Sequence, residues 1–294
     1  MNQKYRGILY ILLSALCFAF MNTFVKLAGD LPSMQKSFFR NLVALIFALI
    51  VLKRKKIGFS YNKENLKLFI LRSTFGTLGI LCNFYAIDKL VLADASMLNK
   101  MSPFFAILFS YFLLKEKVDL VQAISVVGAF IGSLFIIKPS FQNVALFPAL
   151  IGFAGGMAAG IAYTFVRVLG QKGEKGPFIV FFFSSFSCLA ILPFLIFQYQ
   201  PMSGMQFIYL LMAGLAAAGG QFSITAAYCY APAKEISVFD YSQIIFSAIL
   251  GFLLFGQIPD LYSGLGYVII CSMAIFMFLY NTGKIKIPMR NKEA

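Results

Sequence analysis

The chain has 294 residues, 60% of them hydrophobic and only 12% charged, with a mean hydropathy of +0.84. A soluble domain carries about one-quarter charged residues, so this chain lies mostly in lipid, and its net charge of +14 reads as membrane topology rather than nucleic-acid binding. It has no histidine, which excludes the usual zinc centres, Ser-His-Asp hydrolysis and H-E-x-x-H proteolysis.

A helix needs roughly 20 apolar residues to cross the hydrocarbon. That rule predicts ten spans, at about 7–28, 35–52, 68–88, 94–114, 119–138, 146–168, 177–198, 205–229, 235–255 and 261–281. The first follows Lys4 and Arg6 as a signal peptide would, but its apolar run continues to about Leu27 without a small-residue cleavage site, so it reads as a retained span. The gaps are short, leaving no room for a soluble domain. The five cysteines, Cys17, Cys82, Cys188, Cys229 and Cys271, are scattered singly through apolar segments and imply neither disulfide nor metal. Placing the N-terminus in the cytoplasm puts nineteen of the twenty-five basic residues inside and five outside, with Lys100 within a span. Both termini are therefore expected in the cytoplasm, and the location expected is a prokaryotic inner membrane.

An internal repeat organises the chain. Sliding it by 141 residues sets Asp119 on Asp260, Ser96 on Ser237, Gly79 on Gly220, Ala86 on Ala227, Lys26 on Arg167 and Asp94 on Glu235. Charged positions keep register without a gap from the first span to the last. Each copy (1–140 and 141–294) then holds five spans, and an odd number turns the second copy upside down. The expected fold is an all-α membrane protein of ten transmembrane helices, arranged as two inverted five-helix repeats around a central cavity. Inverted repeats about a mid-membrane site suit alternating access.

The stretch Ala93 to Pro103 and its counterpart near Glu235 to Gln243 carry the polar residues that are hardest to place in lipid. Phe84-Tyr85-Ala86-Ile87, Ala93-Asp94-Ala95-Ser96, Ser102-Pro103-Phe104 and Phe112-Leu113-Leu114-Lys115-Glu116 resemble the pattern of the EamA family of the drug/metabolite transporter superfamily. The second copy resembles it with departures, since Gln243-Ile244 stands for the Ser-Pro pair and Gln257 for the glutamate. The resemblance covers nearly the whole chain. It implies a ten-helix bundle with a cavity lined by spans one, three, four, six, eight and nine, and transport of a small compound from a range that includes amino acids, nucleotide-like metabolites, vitamins, quaternary amines and drugs; Lys100 and the many aromatics favour an amino acid or a nucleoside-containing metabolite.

Candidate binding and gating residues follow from polarity within the spans. Asn99 and Lys100 in span four, and Asp240, Tyr241 and Gln243 in span nine, are the foremost. Lys100 could hold a substrate anion or snorkel to the headgroups. Asp240 could carry a proton as coupling ion, bind a cationic amine, or stabilise a helix N-terminus. With each about 7 Å deep from opposite surfaces of a roughly 30 Å core, Lys100 and Asp240 are expected to stay some 16 Å apart, as outer and inner gates. Asn22, Thr77, Asn83, Tyr85, Tyr163, Gln221, Thr225 and Tyr228 are further candidates for the cavity wall, or for interhelical hydrogen bonds. Gly76, Gly79, Gly155, Gly156, Gly160, Gly219 and Gly220 suit close helix packing or hinges, and Pro103 and Pro193 suit kinks. Lys26, Arg40 and Arg72 are expected at span ends facing phosphates, and Asp119 and Asp260 as helix N-caps. No P-loop is encoded, no cofactor or metal is expected, and the partners are a small solute and the bilayer, with protons as a candidate coupling ion. The molecule is expected to act as a monomer or homodimer. A non-transporting membrane subunit is the alternative reading, and it predicts no solute flux.

Overall fold

A computed structural model describes residues 3–56, 58–59, 61–114, 119–137, 145–230 and 239–285. Lys115, Glu116, Lys117, Lys138, the segment 231–238 with Glu235 and Ser237, and the tail beyond 285 lie outside the described residues. Without water in the hydrocarbon, each backbone polar group must be satisfied within the chain, and apolar runs of this length fold as helices. The helices are α1 (Gln3–Leu27), α2 (Ser33–Arg54), α3 (Leu66–Lys89), α4 (Leu92–Asn99), α5 (Ser102–Leu114), α6 (Leu120–Ile137), α7 (Leu146–Gln171), α8 (Gly176–Gln198), α9 (Gly204–Tyr230), α10 (Ser242–Phe255) and α11 (Leu261–Asn281). Seven of them, α1, α2, α3, α7, α8, α9 and α11, are each long and apolar enough to cross a membrane. The protein is thus an all-α, multi-pass membrane protein.

Span four is not one helix. It breaks at Lys100-Met101, after the two turns of α4, and α5 starts afresh with Ser102-Pro103. Proline lacks the N–H that a helix start leaves unused, so Pro103 opens a helix here rather than kinking one. Span nine is also interrupted, with Tyr241 in a turn before α10.

The helix ends are closed by side chains from near and far. Asp260 Oδ1 accepts from the Ser263 N–H (2.9 Å) and caps α11, as its position before an apolar run suggests. Asp119 accepts from the Tyr280 hydroxyl at 3.3 Å. Gln257 Oε1 accepts from the Leu92 N–H (3.1 Å), serving the buried start of α4 from the far side of the sequence. Lys26 Nζ donates to the carbonyls of Ile87 (3.0 Å) and Leu90 (2.7 Å) at the C-terminal end of α3, where a cation also meets the negative end of the helix dipole. Lys26 therefore ties α1 to α3 instead of facing a lipid phosphate. Beside it the fully buried Lys36 pairs with Asp88 at 2.5 Å.

Packing follows the repeat. α1 lies against α9 and α3 against α7, while α2 faces α8 and α6 faces α11. Under the 141-residue offset the first two contacts exchange with each other, and each of the last two joins an element to its own counterpart. One apolar cluster draws on α1, α3, α7, α8 and α9 around Phe69, Phe84 and Phe178. Another joins α4, α5, α6, α10 and α11 around Met97, Phe104, Tyr241 and Ile270. The outer surface bears large apolar side chains, Phe197 and Leu261 among the most exposed, as a lipid-facing surface should. Close approach is sharpest where α7 meets α4, because a Cβ on Gly156 would stand 2.3 Å from the Leu98 carbonyl oxygen.

Candidate functional site

A cavity opens between the helix layers, with about 560 Å³ of space not filled by atoms, its mouth included. α1, α3, α7 and α9 contribute Asn22, Asn83, Tyr163 and Gln221 to its wall. The two broken spans reach it at their breaks, through Asn99 at the end of α4 and Gln243 in the first turn of α10. α2 and α8, absent from the expected lining, contribute Arg40 and Phe183.

A hydrogen-bonded chain runs from this wall into the bundle. Asn83 Nδ2 donates to Asn22 Oδ1 (3.4 Å), Asn22 Nδ2 to Ser96 Oγ (3.4 Å), and Ser96 Oγ to Ser247 Oγ (2.9 Å). It ties α3, α1 and α4 of the first copy to α10 of the second. Gln221 Nε2 donates to Thr225 Oγ1 (3.4 Å) along one face of α9, and Tyr163 stacks on Tyr228 with ring centroids 5.3 Å apart. Thr225 and Tyr228 thus support the wall from behind. Thr77 is buried within α3, off the cavity, with no hydrogen-bond partner for its hydroxyl among the described residues. Tyr85 turns away and meets Phe147 edge-on. Among the glycines, Gly76 and Gly79 line the cavity. Gly155 faces Cys82 and Asn83, Gly160 faces α5, and Gly219 and Gly220 face Cys17 and Phe18 of α1. Pro193 lies inside α8.

The expected separation of Lys100 from Asp240 is wrong. Lys100 Nζ stands 2.7 Å from Asp240 Oδ2, and both side chains are buried, at 3% and 1% exposed. The Tyr241 hydroxyl donates to the Lys100 carbonyl at 2.9 Å, using an acceptor that the break in span four has freed from the helix. The depth estimate failed because the span starts at Leu92, not Asp94, and because its helix is split. Lys100 is then eight residues past the helix start, about 12 Å at 1.5 Å per residue, deeper along the span than the roughly 7 Å expected. The offset sets Lys100 on Tyr241 and Asn99 on Asp240, so the two breaks touch near their own counterparts. The pair lies beside the cavity rather than at its two ends.

Arg40 and Arg72 also stand elsewhere than expected. Placed by the sequence at lipid phosphates, they are 1% and 2% exposed and line the cavity. Their guanidinium carbons lie 5.9 Å and 3.7 Å from the centroid of one ring, Phe183, so the aromatic face carries two cations. Arg40 Nη1 donates to Asn41 Oδ1, and Asn41 Nδ2 in turn donates to Ser187 Oγ at 2.7 Å. Arg40 Nε and both Nε and Nη1 of Arg72 are buried without a hydrogen-bond partner among the described residues. Among those residues the ion pairs are Lys36–Asp88 and Lys100–Asp240, and neither arginine belongs to one. The sequence held only an unspecific signal for them, shared with Lys36 on Pro177 and Lys89 on Tyr230. The offset puts Arg40 on Phe181 and Arg72 on Ala213, so these two charges break the repeat, whereas Lys26, at a helix end, keeps its charge in Arg167.

Comparison with known proteins bears on what this arrangement does. The sequence pattern described as the EamA-like transporter family matches residues 5–138 and again 146–279, two segments that start 141 residues apart. An uncharacterized transporter of Helicobacter pylori (strain J99) is 31% identical over 275 residues, covering 90% of this chain and 92% of its own. A pseudopaline exporter, CntI, of Pseudomonas aeruginosa (strain UCBPP-PA14) is 31% identical over 267 residues, covering 90% of this chain and 93% of its own. A solved crystal structure shares the fold, with a TM-score of 0.70 at 14% identity, over 95% of this chain and 99% of that one.

Proposed function

The chain belongs to the EamA-like transporter family, and from that premise we propose that it moves a small metabolite across the cytoplasmic membrane by alternating access, as a secondary-active or exchange transporter. The observation that carries the reading is where the breaks in spans four and nine lie. They meet at Lys100, Asp240 and Tyr241, and the residues flanking them, Asn99 and Gln243, line the cavity. Discontinuous helices around a mid-membrane site are how transporters place backbone and side-chain polar groups on a solute.

Ten spans in two inverted five-span repeats are the architecture that suits this. The constant offset supports it, as do the exchanged contacts of α1 with α9 and α3 with α7. In such a frame one half rocks against the other, and the two breaks must shift relative to each other as it does so. The Lys100–Asp240 pair is then a latch across the moving boundary, in place of two gates at opposite surfaces. A proton taken up by Asp240 would cancel the pair, which makes Asp240 the residue through which a proton gradient would act. Both termini face the cytoplasm in this arrangement, in keeping with the distribution of lysine and arginine. The name of the Pseudomonas relative supports outward movement.

The test is counterflow in proteoliposomes. Vesicles preloaded with one unlabelled member of a panel of amino acids, nucleosides, dicarboxylates and phosphate monoesters are diluted into the same labelled compound. Protein-dependent, transient accumulation of at least one compound is expected. Folded protein that gives no flux with any of them, in either direction, would favour the accessory-subunit reading instead. Asp240→Asn is expected to keep counterflow and to lose accumulation driven by a pH gradient. Retention of that accumulation would remove the proton from the scheme.

A further inference from the structure

Resting on the transport reading, we infer that the solute is a small organic dianion, a dicarboxylate or a phosphate monoester, and that Arg40 and Arg72 are the residues that bind it.

Two guanidiniums in a membrane interior are costly unless something neutralises them. Arginines whose role is structural pair with a carboxylate or bond to backbone carbonyls. These two have one hydrogen bond between them among the described residues, to the Asn41 amide oxygen, while three of their N–H nitrogens are buried and unfilled. The described carboxylate nearest in role, Asp240, is already taken by Lys100. Phe183 lies against both groups, with Arg72 over its ring at 3.7 Å and Arg40 at 5.9 Å, while Arg40 Nε and Arg72 Nε and Nη1 have no hydrogen-bond partner among the described residues. Planar guanidinium edges match the geometry of carboxylate and phosphate oxygens, which take paired N–H donors.

The backbone is also cut to hold this arrangement. A Cβ on Gly76 would stand 2.2 Å from Arg72 Nη1 and 2.9 Å from Phe183 Cε2, so only glycine at this position leaves room for the guanidinium on its ring. The positive charge is +2 in total, which a zwitterionic amino acid, with no net charge, does not balance and a dianion does. On the same cavity wall, Asn83 Oδ1 and Gln243 Oε1 are buried amide oxygens without partners among the described residues, able to accept from a hydroxyl of the solute, which glycerol 3-phosphate carries and succinate does not.

Thermal melting of the purified protein in detergent tests this, with succinate and glycerol 3-phosphate as probes and glycerol, alanine and putrescine as controls. One or both dianions are expected to raise the melting temperature saturably, and the three controls to leave it unchanged. Which dianion acts distinguishes carboxylate from phosphate. Arg40→Gln and Arg72→Gln should each raise the ligand concentration at half-effect at least tenfold, and the double variant should abolish the response. Arg72→Lys, which keeps the charge, should restore part of it. The ligand-free melting temperature separates binding from a structural role, since removing an unpaired buried charge should leave it unchanged or raise it. A response of the wild type to neither dianion, an equal response to alanine or putrescine, or an undiminished response in the double variant would overturn the inference. Dianion binding without flux would sink the transport reading and leave this one standing. Counterflow of a neutral or cationic solute, unaffected by the double variant, would do the reverse.

Discussion

At the scale of single residues, the pair of Lys100 and Asp240 shows how membrane burial turns one contact into a constraint. Each charge is tolerated in the interior only because the other is 2.7 Å away. Removing one partner leaves an uncompensated charge, which costs about 3–5 kcal/mol in buried pairs. Lys100→Met and Asp240→Asn are therefore each expected to lower the melting temperature in detergent. The double variant should recover most of the loss, because it removes both charges together. Additive losses in the double variant would show that the two residues do not act as a pair. Reading the sequence found both residues but put them in the wrong places. Depth was counted from the start of an apolar run, and a run does not reveal that its helix is broken. Ser102-Pro103 was the available sign, since proline favours the first turn of a helix over its middle.

At the scale of elements, the ends of the long unbroken helices were legible, while the break in span four and the contacts between helices were not. Apolar length alone predicted 35–52, 146–168 and 261–281, and the helices found are Ser33–Arg54, Leu146–Gln171 and Leu261–Asn281. Which helix touches which depends on surface shape, and small residues are its one trace in the sequence. Gly156 is such a place. A methyl group there would meet the Leu98 carbonyl, backbone that cannot swing aside, so α4 and α7 must part. Gly156→Ala is expected to cost about 1–3 kcal/mol, as overpacking does. Gly264 of α11 supplies the control, because nothing lies within 4 Å of an added Cβ. Gly264→Ala should be neutral or should stabilise by about 0.5–1 kcal/mol through helix propensity. Comparing the two melting temperatures isolates close packing from the general effect of replacing glycine in a helix.

At the scale of the whole molecule, the repeat was the most informative feature of the sequence, both where it holds and where it fails. It holds for some charges at helix ends, where Lys26 matches Arg167 and Asp119 matches Asp260, and it fails at others such as Lys89, as it does at Arg40 and Arg72. Two of the charges that break it, Arg40 and Arg72, are gathered by the fold around the cavity. The cavity wall itself is not symmetric, since neither arginine has a charged counterpart in the second copy. The arginines were missed because charge near a span end was read as facing lipid phosphates. A side chain directed inward along the helix reaches the middle of the bundle just as well. The topology proposed here also makes a simple prediction. Reporter fusions at residues 1 and 294 should both read cytoplasmic, and a fusion in the 199–203 turn should read outside.

Alternating access is the central claim, and the accessibility of Asn99, half-buried at the cavity wall beside the break, tests it most directly. Cys17, Cys82, Cys188, Cys229 and Cys271 are first replaced by serine, Asn99→Cys is introduced, and counterflow is checked. A membrane-impermeant thiol reagent is then applied to intact cells and to inside-out vesicles. Labelling of position 99 from both faces is the result the account predicts, with substrate shifting the balance between them. Labelling from one face alone, in protein that still carries out counterflow, would contradict it.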